Sequence, residues 1–333
     1  MCLKKKKQTY LLKLKNKLIM AFSTGALTAY IEDMDFPLIA QVQATGGLAE
    51  HVNIQAGIKS SSNLQILASD VVFGADGCSR TPAGTTTFTQ RTITVGAIAI
   101  SEDLCVKDLI GFWTQKLMKE GANTENEVPG EIEKLWLDTK MNGLKNQLTI
   151  SDFQGDTLSG VNNLSYYDGL LKIVDADVTV IDGNTGAITV AVGITTANVL
   201  AILDDMWSAI PDAISMEADL SLWMPTSVYK KYVIALKNAN LFHFKGEDGI
   251  ETLYGTDLRI RKTVGLPGVA GTERMLIARD SNITIGVDGT GDEDAVDVRV
   301  NPATNKSVFY DVTFKRGVQY AFGNEIVEFT LVP

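Results

Sequence analysis

The chain has 333 residues, 45% of them hydrophobic and 21% charged, which is enough apolar material for one large core or two ordinary ones, so disorder is not the default. Thirty Lys and Arg against forty Asp and Glu give a net charge of −10. Lys4, Lys5, Lys6, Lys7, Lys13, Lys15 and Lys17 concentrate positive charge in the first twenty residues, so the body is acidic and unlike a general nucleic-acid binder.

In chain order, Leu11, Leu14, Leu18 and Phe22 recur at helical spacing between these lysines and predict a basic amphipathic helix. It is a candidate arm for a partner protein, nucleic acid or a membrane surface, or simply a solvated terminus. The lysines interrupt any signal-peptide core, and no uncharged apolar run reaches membrane-spanning length, so the expectation is a chain neither exported nor embedded in a membrane. Residues 23–100 are rich in Gly, Ser, Thr and Ala with turn signals at 45–47, 74–77 and 81–84, and contain no convincing long helix. Strand-like stretches at 63–73 and 88–100 predict an extended region stabilised by contacts outside its own domain. In the second stretch Ile93, Val95, Ala97 and Ala99 alternate with Thr92, Thr94 and Gly96.

Ser101, Glu102 and Asp103 have the composition of a helix start, and Val106, Leu109, Ile110, Trp113 and Leu117 supply an apolar face after it. A second helix is predicted over 131–150, the longest regular element of the chain. A hairpin is predicted over 177–192, turning about Asp182 to Gly186. Thr195 or Thr196 is placed to cap a helix bearing Val199, Leu200, Leu203, Met206, Trp207 and Ile210. A strand at 218–224 leads into a helix with Val228, Tyr229, Tyr232, Val233 and Leu236. Strands follow at 258–262, 274–279, 282–287, 296–300, 307–314 and 325–332. Helices and strands interleave without a βαβ rhythm, which predicts an α+β fold.

Little in this order carries catalysis. His51 and His243 are the two histidines, and His243 lies between Phe242 and Phe244, a setting for packing rather than base chemistry. Residues 265–271 resemble a phosphate loop but lack its spacing and read as a turn. Asp288, Asp292, Glu293, Asp294 and Asp297 are the best metal candidates, yet their spacing misses that of an EF-hand and a solvated loop is preferred. Cys2, Cys78 and Cys105 share no paired spacing, which fits a reducing compartment, and Cys105 reads as a buried helical residue. The expectation is no enzyme, no cofactor and no metal.

The element order, together with residues 101–105, 223–229, 278–283 and 315–327, resembles the major capsid protein of tailed bacteriophages, the Hong Kong 97-type fold. The resemblance implies an N-terminal arm at 1–60, an extended β-hairpin loop at 61–100, a peripheral domain with a long spine helix at 101–155 plus 293–333, and an axial domain at 156–292. It further implies a self-assembling protomer of hexamers and pentamers in an icosahedral or prolate phage head enclosing double-stranded DNA. Portal and possible scaffolding or auxiliary capsid proteins would be its partners, in a virion assembled in the host cytoplasm. An encapsulin-like nanocompartment shell and a β-rich tail-tube or adhesion protein are the alternatives. Some capsids of this type join the loop to a neighbour by a Lys–Asn isopeptide bond; no Lys occurs between Lys59 and Lys107, so none is expected here.

Overall fold

The computed structural model describes residues 47–74, 84–105, 130–241, 252–288, 297–300 and 307–333. Within these, α1 is Gly130–Gln154, α2 Leu170–Asp175, α3 Val199–Ser208 and α4 Thr226–Asn238. The strands are β1 Asn53–Gln55, β2 Ser61–Ser69, β3 Thr86–Thr94, β4 Gly96–Cys105, β5 Ile181–Asp182, β6 Leu220–Pro225, β7 Arg259–Thr263, β8 Met275–Arg279, β9 Ile283–Val287, β10 Asp297–Val300, β11 Ser307–Tyr320 and β12 Val327–Phe329. The fold is α+β. Contacts divide the chain into two units, one of residues 1–40, 99–142 and 294–313 and the other of 41–98, 143–293 and 314–333.

In the second unit a five-stranded sheet runs in the order β5-β12-β8-β6-β7, with β6 parallel to β7 and antiparallel to β8. Every residue of β6 is buried, because the sheet is covered on both faces. Alternate residues therefore feed two cores. Leu222, Met224, Met275, Ile277, Val327 and Phe329 pack with α3 and α4, while Trp223, Leu276 and Ala278 pack with Leu48, Phe153 and Leu170. The amphipathic spacing read in α3 and α4 is what lets them close the first of these.

The other large sheet joins β1, β9, β11 and β10, with β4 also pairing with β11. β11 runs six residues past the predicted 307–314: its first half pairs with β10 and its last five residues with β9. In the second unit, α1 ends beside this sheet through an ion pair sealed from solvent. Arg316 donates from Nε and Nη2 to the two carboxylate oxygens of Asp152, both at 2.7 Å, and the Tyr167 hydroxyl donates to Asp152 Oδ1 at 2.7 Å. Both charged side chains are fully buried. Burial drives the Tyr167 phenol well above its ordinary range, and the adjacent Asp152 carboxylate adds to the shift.

Three readings from sequence are corrected. Ser101, Glu102 and Asp103 do not start a helix: β4 continues through Cys105, which therefore lies in a strand. Pairing with β11 outweighs the local capping signal, and within the first unit Ser101 bonds Asp311 while Glu102 pairs with Lys140. The rest of the proposed helix, 106–117, is outside the described residues. Residues 177–192 form no hairpin; β5 and Thr189 each pair in parallel with the C-terminal segment instead. Asn184 holds this path by donating to the Ile188 and Thr330 carbonyls and accepting from Ile188 N–H. Neither Thr195 nor Thr196 caps α3: its N-cap is Asn198, whose Oδ1 accepts from Thr195 N–H.

Candidate functional site

β2 and β3 form a two-stranded antiparallel sheet of nine residue pairs, from Ser61↔Thr94 to Ser69↔Thr86. An isolated ribbon of this kind is marginal in water. Its root is held by backbone approaches that only glycine permits. A Cβ on Gly317 would lie 2.1 Å from the Thr94 carbonyl oxygen, and one on Gly286 would strike Ile93, Ile58 and Val95. Those two glycines face one another across the β9–β11 ladder, so they open a slot for the small core of Ile58, Ile93 and Val95. Gln319 Nε2 donates to the Thr92 carbonyl at 3.0 Å, and Lys315 Nζ to the Lys59 carbonyl.

Arg91 adds a polar latch. Its guanidinium donates to Asp177 at 2.5 Å and lies 4.6 Å from the Tyr320 ring centre, while the Tyr320 hydroxyl donates to the same carboxylate at 2.8 Å. Burial pushes the Asp177 carboxyl up, but bonds from Thr179, Arg91 and Tyr320 more than offset it and hold the group well below the usual carboxylate range. Arg91 carries one sequence signal: it is the only cation between Arg80 and Lys107.

Beyond Ile66 the ribbon changes character. Residues 67–74 and 84–90 are all exposed, and between them they carry one formal charge, on Asp70. One face is an amide and hydroxyl ladder, in which Asn63 donates to Gln90, Gln90 to Gln65 and Thr92 to Asn63, with Ser69 paired to Thr86. On that face Leu67 sits opposite Phe88. Leu67, Val71, Val72, Phe73 and Phe88 are 57%, 74%, 49%, 95% and 79% exposed. Fully covering one such side chain is worth about 1.5–3 kcal/mol. A fixed root with a sparsely charged, strand-forming outer half that exposes several large apolar side chains has the character of a surface that another surface covers.

Among the described residues no other cluster forms a competing site. A shallow open groove lined by Glu50, His51, Asn53, Asp219, Arg259, Arg261, Asp280 and Ser281 holds charges largely committed to each other: Arg261 pairs with Asp280, Asp219 with Arg279, and Glu50 with Lys145. Among the described residues no group of three His, Cys, Asp or Glu could hold a metal ion, and no helix is long and apolar enough to cross a membrane. Asp288 is buried and pairs with Lys315 at 2.8 Å. Asp292, Glu293 and Asp294 are outside the described residues, as are His243, Cys2, Cys78 and the seven lysines of the arm, Lys4, Lys5, Lys6, Lys7, Lys13, Lys15 and Lys17. The glycine-rich stretch at 265–271 is a turn between β7 and β8, and Gly265 is there because a Cβ would collide with Phe153 and the Thr149 carbonyl at the end of α1.

No protein-family model matches the chain, and no curated protein matches it. Solved structures match its fold. A chain of the satellite phage P4 procapsid that includes size determination (Sid) protein superposes with a TM-score of 0.56 at 13% identity, covering 89% of this chain and 98% of that one. The capsid of an empty GTA particle gives 0.54 at 13% identity, over 87% and 90%. Gordonia phage Cozz gives 0.54 at 9% identity, over 86% of each chain. The α+β fold resembles the Hong Kong 97-type capsid fold at this level.

Proposed function

We propose that this chain is the structural protomer of a phage head, assembling with copies of itself into hexamers and pentamers around double-stranded DNA. The observation that carries this reading is the β2–β3 ribbon, fixed at its root and unable to bury its own outer half. A second copy of the chain is the natural cover, because a shell supplies the same surface at every position and multiplies a modest contact over many copies. The fold likeness to a phage procapsid chain and a GTA particle capsid supports the same reading. In it, residues 1–60 act as the arm, 61–100 as the extended loop, 101–155 plus 293–333 as the peripheral domain and 156–292 as the axial domain. The lysines of the arm face scaffolding partners or the enclosed DNA, portal and auxiliary capsid proteins complete the particle, and the mature chain resides in the virion.

The test replaces Leu67 with Lys and Phe88 with Glu in the full chain, an opposite-charge pair directly across the ribbon. Both side chains are exposed, so folded stability is expected to change by no more than about 0.5 kcal/mol. Sedimentation of the wild type should show large particles and the double variant only small species. Assembly of the variant at wild-type efficiency would remove the ribbon from the interface and with it the main support for the reading.

A further inference from the structure

His51 follows the 3-10 turn Gly47–Glu50 and is separated from β1 by Val52 alone. Leu48 and Ala49 are buried beneath it in the core on the Trp223 side of the sheet. The imidazole packs 5.8 Å from the Trp223 ring, tilted by 54°, and its Nε2 lies 3.3 Å from Arg261 Nη1. A guanidinium can only donate. The 3.3 Å contact is a hydrogen bond only when Nε2 carries the lone pair, that is, in a neutral ring protonated at Nδ1.

The charges around the ring are arranged to keep it neutral. Arg261 of β7 is fixed by donating to Asp280, between β8 and β9, at 3.1 Å, so it cannot swing away without giving up that bond. Arg259, also of β7, lines the same groove. Of the facing acids, Glu50 on the adjoining turn pairs with Lys145 of α1, and Asp219, ahead of β6, is taken by Arg279 and Ser281. Asp280 is the one carboxylate directly engaged with the clasp, and it is bound to Arg261 and Ser221.

We propose that His51 and Arg261 form a proton-sensitive clasp that fastens residues 47–55 to the β6–β7 side of the sheet. With His51 neutral, the ring accepts from Arg261 and the turn is held down. Once protonated, Nε2 becomes a donor facing a donor and a cation facing a cation, and the clasp opens. The weak link that follows is β1, which has only three residue pairs with β9. This device goes beyond the shell reading and operates in a free subunit. Its direction agrees with the titration of the ring: burial and then Arg261 push His51 below the ordinary 6.5, against the upward pull of Asp280 and Glu50.

The test uses the full chain and its His51→Gln variant, whose amide oxygen still accepts from Arg261 but does not titrate. Hydrogen exchange at residues 52–55, corrected for intrinsic rates, is followed from pH 7.5 to 5. Proton NMR of the two histidine rings, assigned with His243→Gln, gives the His51 midpoint. The expected result is accelerated exchange in the wild type as pH falls, flat exchange in His51→Gln, and a His51 midpoint below 6.5. Equal pH dependence in both proteins, no acceleration in the wild type, or a midpoint at or above 6.5 would overturn the proposal.

Discussion

Removing either side of the Asp152–Arg316 pair should damage the second unit far more than removing both. Each charge is fully buried and the guanidinium grips the carboxylate through two 2.7 Å bonds, so Asp152→Asn or Arg316→Met strands the opposite charge in the core. The expected cost is about 3–5 kcal/mol for either single change. Replacing Asp152 with Leu and Arg316 with Met together removes both buried charges and leaves the Tyr167 hydroxyl without its acceptor, a loss of about 1–3 kcal/mol. Urea unfolding of the unassembled subunit, monitored by far-ultraviolet circular dichroism, reads the difference directly. With a slope of about 3 kcal/mol/M, the single variants should lose roughly 1–1.7 M in midpoint and the double variant less than either. Single variants with wild-type midpoints, or a double variant worse than both, would refute the claim that the desolvated charges dominate this junction.

Two further outcomes follow from the ribbon's root. Gly317→Ala should destabilise by about 1–3 kcal/mol, read as a lower unfolding midpoint, because a backbone carbonyl occupies the space of the new Cβ. Arg91→Met should cost about 1–2 kcal/mol at neutral pH by unpairing Asp177. Because the folded Asp177 carboxyl sits below its ordinary 3.8, the latch is intact above that pH and its contribution fades as pH falls further. The wild type and Arg91→Met should therefore converge in stability on acidification below 3.8, and a constant gap would contradict the assignment.

The long helix, the ribbon strands, α3, α4 and most C-terminal strands were legible because each has a periodic apolar face that local sequence writes directly. Met141 and Leu148 in α1, and Ile93 and Val95 at the foot of β3, are buried as their spacing implies, whereas Ala97 and Ala99, read on the same face, are exposed because the strand breaks after Thr94 and β4 starts at Gly96. What escaped depends on partners distant in sequence. Ser101 to Asp103 carry a helix-start signal that β11, some two hundred residues later, overrides by offering an edge. The turn residues at 182–186 invited a hairpin, but the C-terminal segment takes the pairing on both sides of Asn184. Asp152, Tyr167 and Arg316 look like ordinary surface residues until the fold closes over them. Gly286 and Gly317 likewise acquire their meaning only where β9 and β11 place them opposite each other beneath Ile93.

The central claim is that copies of this chain close into a shell, and electron microscopy of the purified full-length protein, paired with its sedimentation, addresses it most directly. Uniform closed particles tens of nanometres across are the predicted result. Monodisperse monomers persisting across concentration, salt and temperature would contradict it.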